Sequence, residues 1–434
     1  MTDLELRPQA PARRPPLPPG PLRPRPGRRT PWRALHTAVL RIDAATPAER
    51  DRAVDVLRAL ALTGVVLGHW LVSGVVLQAG GHLVGGSPLG DRPGLAPVTW
   101  ILQPLAVFFL VGGRVSAQGH AAARARGIGY RAWLAARLAG LLRPAMAFAL
   151  TWGLVWLGLV FAGTAHETIG TLMWLAYSPL WFLGVYALLI AATPLVRKAP
   201  ARIAVAACLL VAALDALRAV SGDSGWADAL RLLNLPAGWL VPYCLGAVWA
   251  AGGFARRRHA AALLLGGGAV MAALILRGGY PASMVGVPGD TLSNLNPPTL
   301  AAVAFALAQT GAALLLRAPL RRAVTTPART GRTHPGPQHR ASPAQFLWAA
   351  VTLLNVTAVT VFLWHQTAML TTTVIPLGLG HTLAGLHTSP GDPLWLAARC
   401  GWLPVFAAVL TVLVIALRDR DGARTKRINN RTIT

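Results

Sequence analysis

Charge is what this chain has least of. Asp, Glu, Lys and Arg make up 13% of its 434 residues, against roughly 25% in an average soluble domain. The charges fall in short blocks, and the stretches between them stay apolar over roughly 17–25 residues, enough to cross a ~30 Å hydrocarbon layer. With 54% hydrophobic residues, too few amphipathic segments remain to cover such stretches in water, which excludes a soluble globular core. Cysteine is scarce too. Cys208, Cys244 and Cys400 lie far apart in apolar segments, a spacing that offers neither a zinc site nor a disulfide framework. No G-x-x-x-x-G-K-[ST] run is present, and Gly266–Gly268 sit inside an apolar run where close helix packing explains them. His334 and His339 have no thiol or carboxylate neighbours, so no metal site is expected. Residues 1–50 hold 11 Pro and 10 Arg with no apolar run, which leaves no signal-peptide core and predicts a disordered Pro/Arg-rich tail.

What is present is a series of apolar runs. They predict an all-α integral membrane protein of about ten transmembrane helices, at 54–77, 96–113, 144–163, 171–193, 203–220, 236–253, 259–276, 298–316, 347–371 and 394–417. An even number puts both termini on one side. The net charge of +26 would suggest nucleic-acid binding in a soluble chain, but its distribution gives another reading. If the N terminus is cytoplasmic, 36 of the 41 basic residues fall on inside segments and five (Arg92, Arg218, Arg231, Arg277 and Arg399) fall outside or near outer helix ends. That alternation predicts a multi-pass cell-membrane protein with both termini cytoplasmic and no nucleic-acid partner. The domains follow: a tail over 1–50, a membrane domain over 51–417 with a flexible cytoplasmic loop at 317–346, and a basic tail over 418–434. Trp70, Trp100, Trp239, Trp395 and Trp402 sit near predicted helix ends, as interfacial anchors do. Asp215 and Arg218 are spaced for a local ion pair.

The first apolar run carries the most chemistry. In DRAVDVLRALALTGVVLGHWL, Arg58 and His69 are eleven residues apart, about 20° from three full turns, so they share one helix face about 16 Å apart along the axis. Asp55 lies on the same stripe, placed to pair with Arg58. An ionisable side chain within the membrane is costly and usually faces the bundle interior. A neutral imidazole is also a good structural hydrogen-bonding group between helices, and Arg58 alone is explained by snorkelling to the interface. In the ninth run, His365 lies about 27 Å from the start at Leu347, somewhat further outward than His69. His166 and Glu167 fall in an outer loop.

The segment VDVLRALALTGVVLGHW, with Arg58-x10-His69, resembles the first-helix signature of the acyltransferase-3 family, whose members acylate sugars and related hydroxyl compounds. In the expected order, QPLAVFFLVGG (Gln103–Gly113) resembles that family's second-helix FFxxSG motif, and YRAWLAARLAGLLRP its Arg-rich stretch. SPLWFLGVY (Ser178–Tyr186) resembles its LWFL motif, and VFLWHQTAM (Val361–Met369) its late YLWH motif. The chain departs from the pattern where the usual Ser is Gly112, where the following aromatic is Arg114, and where the basic stretch carries Arg137 and Arg143-Pro144.

The resemblance implies a membrane-bound O-acyltransferase with no bound cofactor and acyl-CoA as co-substrate. The acceptor it implies is a hydroxyl on a carbohydrate or glycosylated metabolite. His69 would be the catalytic general base, Arg58, Arg137 and Arg143 would bind the donor's phosphates, and Asp55 and His365 would complete the substrate site. A polytopic small-molecule transporter using the intramembrane imidazole as a proton relay is the alternative. Proton-driven uptake into proteoliposomes without an acyl donor would distinguish it.

Overall fold

The computed structural model describes residues 31–221, 225–325 and 340–431, with residues 228 and 418–431 as backbone only. His334 and His339 lie outside the described residues. Among these residues ten stretches are helical, long and apolar enough to cross a membrane, in the predicted order, so the chain is a multi-pass membrane protein. Helix α1 (Pro31–Ala44) precedes the first span, α2 (Arg52–Val72). A two-stranded hairpin, β1 (Gly74–Leu77) and β2 (Leu83–Gly86), follows it in antiparallel register. The second span runs from Pro93 to Ala125. It contains the short helix α4 (Thr99–Leu102), which follows α3 (Pro88–Asp91), and ends in α5 (Leu105–Ala125) after a break at Gln103-Pro104. Next come α6 (Tyr130–Phe161), α7 (His166–Tyr177) and α8 (Leu180–Val196), the last two forming one span. The chain continues through α9 (Pro200–Ser221), α10 (Gly225–Arg231), α11 (Asn234–Ala250), α12 (Arg257–Arg277) and α13 (Leu300–Ala323). It ends in α14 (Pro343–Val356), α15 (Ala358–Gly378) and α16 (Trp395–Arg431).

Several boundaries differ from the sequence reading. The first span stops at Val72, and the β-branched pair Val75-Val76 belongs to the hairpin. The ninth run splits at Thr357, where Asn355 Nδ2 bonds the Asp55 and Val351 carbonyls and Thr357 Oγ1 shares Leu353 O with its own backbone N–H. The expected disordered tail includes α1, held to α14 by Gln345 donating to Asp43 and Trp348 donating to Thr46. The 317–346 loop is shortened at both ends, because α13 continues to Ala323 and a capping box at Ser342 starts α14. Helix α16 runs on through the basic end to Arg431.

Glycines set the closest crossings. Gly113 of α5 lies against the backbone of Tyr243 on α11, and Gly246 of α11 lies against Leu110 of α5. A Cβ on Gly267 of α12 would meet Ala308 N of α13 at 2.6 Å, so packing accounts for the middle glycine of the run, while Gly266 and Gly268 face open space.

Three of the tryptophans read as anchors are buried instead: Trp70, Trp239 and Trp395. Their rings fill the bundle, and Trp70 donates to His365 O at 2.9 Å. Asp215 does not pair with Arg218. It accepts from Asn234, Tyr280 and the Leu300 amide, because α11, the 278–299 connection and α13 bring three donors to it, whereas Arg218 turns to Thr291 O.

Arg399 is 1% exposed and donates to the carbonyls of Trp70, Ser73 and Gly385 at 2.7–3.0 Å. Two of these belong to the C-terminal end of α2, the negative end of its dipole. Arg399→Met should therefore lower the unfolding free energy by about 2–4 kcal/mol, measured as a loss of melting temperature in detergent.

Candidate active site

His69 lies in the last turn of α2, and its imidazole lines a cavity of about 300 Å³. The wall is formed by α2, α4, the α7–α8 junction, Phe362 of α15 and residues 285–296 of the connection between α12 and α13. That connection is folded over the site by Trp100 donating to Ala282 O, by Met284 N donating to Thr99 Oγ1, and by Asn294 bonding Pro281 O and Ser283 O. Apart from His69 the lining is uncharged: aromatic rings of Trp174, Trp181 and Phe182, with Ser73, Gln103, Ser178, Ser293 and Asn296 supplying polar groups.

Arg58, three turns back along α2, lines a second cavity of about 210 Å³ together with Arg137 of α6, Ser116 of α5 and Tyr186 of α8. Among the described residues neither guanidinium has a carboxylate or hydrogen-bonding partner, although ion pairs are formed nearby. Two unpaired guanidinium groups thus face one cavity and give it positive charge.

The two cavities are neighbours. Phe182 lines the first, Phe108 and Tyr186 line the second, and these rings touch: Phe108–Phe182 at 4.9 Å edge to face, Phe182–Tyr186 stacked at 5.9 Å. The partition between an imidazole chamber and a guanidinium chamber is thus one layer of aromatic rings.

The sequence-predicted residues separate into three groups. His69, Arg58 and Arg137 line the two cavities. His365 lines neither. It is fully buried behind His69, ring centroids 5.1 Å apart, with Nδ1 donating to Phe362 O at 2.6 Å. Its depth matches that of His69 because α15 begins at Ala358, not at Leu347. Asp55 pairs with Arg50 in a fork of 2.7 and 3.0 Å, not with Arg58. Arg50 precedes the helix and folds back onto the carboxylate, which leaves Arg58 free for the cavity. Arg143 is exposed on α6 and borders neither cavity, as are His166 and Glu167 at the start of α7.

The motif departures have local explanations. A Cβ on Gly112 would stand 2.6 Å from Tyr186 Cε2, so the missing serine side chain gives its space to that ring. Arg114 stacks over Trp249 at 4.1 Å and pairs with Asp51 at 3.2 Å. Gly112→Ser should consequently overpack this point and cost about 1–3 kcal/mol. In a Tyr186→Ala background, where the ring is gone, the same substitution should add little further loss in thermal unfolding of the solubilised protein.

One residue that the sequence reading passed over stands beside the imidazole. Gln366 Nε2 is 3.4 Å from His69 Nδ1. It sits inside VFLWHQTAM, where its position next to a motif histidine was the available signal.

The ten-span membrane protein thus carries an imidazole-lined cavity beside a cavity that bears two guanidinium groups. A family model described as an acyltransferase domain, acyltransferase-3, matches residues 51–418. The chain belongs to the acyltransferase-3 family, and it is a membrane acyltransferase. Neither the curated proteins nor the solved structures provide a match to it.

Proposed function

We propose that the protein transfers an acyl group from acyl-CoA to a hydroxyl of a carbohydrate or related acceptor, with His69 as general base. The observation carrying this reading is the pair of adjoining cavities: unpaired Arg58 and Arg137 on one side of an aromatic partition, and His69 in an uncharged chamber on the other. The N terminus and the Arg58 side face the cytoplasm, in keeping with the distribution of basic residues. The donor enters from that side, and its phosphates meet the two guanidinium groups. The pantetheine arm passes the rings of Phe108, Phe182 and Tyr186 and delivers the thioester to the His69 chamber. There the acceptor hydroxyl loses its proton to His69, its oxygen bonds the thioester carbonyl carbon, and the C–S bond breaks. The imidazolium then returns the proton to the CoA sulfur. The uncharged lining favours an acceptor without formal charge near the reacting hydroxyl, because a buried unpaired charge there would be strongly disfavoured.

The test is the purified protein in nanodiscs with radiolabelled acyl-CoA and a panel of neutral glycosides. The reading predicts label transfer to a hydroxyl, or slow thioester hydrolysis when no acceptor is present. A protein that neither binds nor consumes any acyl-CoA would overturn it.

A further inference from the structure

Two polar side chains, His365 and Gln366, stand behind His69 on the side away from its cavity, and Gln366 is the one within hydrogen-bonding distance. Gln366 is 1% exposed, and its Nε2 stands 3.4 Å from His69 Nδ1. Among the described residues it is the imidazole's hydrogen-bond partner, and it does not itself line the cavity. The Nδ1 edge of the ring therefore faces protein, and Nε2 is the nitrogen left to the chamber. His365, the adjacent residue, spends its Nδ1 on Phe362 O, and its Nε2, though buried, makes no hydrogen bond to His69.

A base working through Nε2 needs its lone pair there, which requires the proton of the neutral ring to sit on Nδ1. That proton needs an acceptor. Gln366 Oε1 is buried and without a partner. A carboxamide has an oxygen and an NH2 group of nearly equal size at its two ends, and a half-turn about Cγ–Cδ exchanges them. With the oxygen toward Nδ1, the amide accepts from the neutral ring and continues to accept when Nε2 takes a proton. With the nitrogen toward Nδ1, it would hold the proton on Nε2 and oppose the imidazolium. Only the first orientation serves a base.

We infer that Gln366 is the positioning residue for His69, its carboxamide oxygen accepting the Nδ1 proton and so presenting the Nε2 lone pair to the acceptor hydroxyl. The inference rests on the reading of His69 as general base. It assigns to the glutamine the part that a carboxylate plays behind the histidine of a hydrolase triad, with a neutral group suited to a low-dielectric interior.

Two readouts test it. The first needs no turnover: the ¹⁵N spectrum of [¹⁵N]histidine-labelled protein, with the His69 signals identified by comparison with His69→Ala. Wild type should show His69 protonated at Nδ1 and bare at Nε2, Gln366→Glu should keep that tautomer, and Gln366→Met should lose it. The second is acyl-CoA turnover. Gln366→Met should lower kcat about 10- to 100-fold with KM for acyl-CoA changed by less than about 3-fold, and Gln366→Glu should restore kcat to within about 5-fold of wild type. A wild-type His69 carrying its proton on Nε2 overturns the inference, as does a Gln366→Met enzyme with unchanged kcat while His69→Ala is inactive. If His69→Ala itself retains full turnover, it is the general-base reading that fails. Should Gln366→Met not fold, the wild-type and Gln366→Glu spectra decide alone.

Discussion

Replacing His69 by Ala should remove at least about 10²–10⁴ of the acyl-transfer rate, the range that a positioned general base contributes, while leaving the melting temperature within a few degrees of wild type. The expectation of a stable variant follows from the surroundings. The imidazole is partly open to a cavity and has one long hydrogen bond, to Gln366, so truncation enlarges an existing space and strands one amide that already has an unpaired end. The Trp70 ring next to it, by contrast, is buried and bonded to His365 O, and Trp70→Ala should unfold the protein before it informs on chemistry. Single-turnover measurements with labelled acyl-CoA separate the two outcomes. Donor binding should persist in His69→Ala, since the phosphate-binding groups proposed here lie about three helical turns away along α2.

The second large effect should fall on donor affinity. Arg58 and Arg137 are unpaired guanidinium groups on one cavity, and a forked charge-assisted hydrogen bond to phosphate is among the strongest a side chain makes. Arg58→Met and Arg137→Met should each raise KM for acyl-CoA about 10- to 100-fold, with kcat changed far less, and the double variant should show no saturable donor binding. Lysine should restore only part of the loss, because a point charge cannot replace the planar fork. Arg143→Met should behave like wild type: its side chain is exposed on α6 and reaches neither cavity. Titration of the detergent-solubilised protein with acyl-CoA measures the donor affinity of each variant, and turnover assays give kcat and KM.

Much of this architecture was legible from the chain, for physical reasons. Ten apolar runs must appear as ten spans because a helix is the unit that satisfies its own backbone inside lipid, and all ten stand in order. The shared face of Arg58 and His69 followed from helical periodicity, which α2 obeys without interruption from Arg52 to Val72. What periodicity could not supply was any contact between segments distant in sequence. Asp55 had an Arg three residues ahead on its stripe and found Arg50 five residues behind, since the turn before the helix brings that side chain closer. His365 was placed too far along because the helix break at Thr357 depends on Asn355 reaching across to Asp55 O. Gln366 and the Phe108–Phe182–Tyr186 partition arise only where α2, α5, α8 and α15 meet. The hydropathy of Trp70, Trp239 and Trp395 likewise suited an interface as well as a core, and the packing chose the core.

The claim on which the rest depends is that donor and imidazole meet through the aromatic layer between the two cavities. A structure of the protein with a non-hydrolysable acyl-CoA analogue tests it most directly. The account predicts phosphates against Arg58 and Arg137, the rings of Phe108, Phe182 and Tyr186 parted around the pantetheine arm, and the carbonyl carbon within reach of His69 Nε2. An analogue bound on the opposite face, or one whose carbonyl stays on the Arg58 side of those rings, would contradict it.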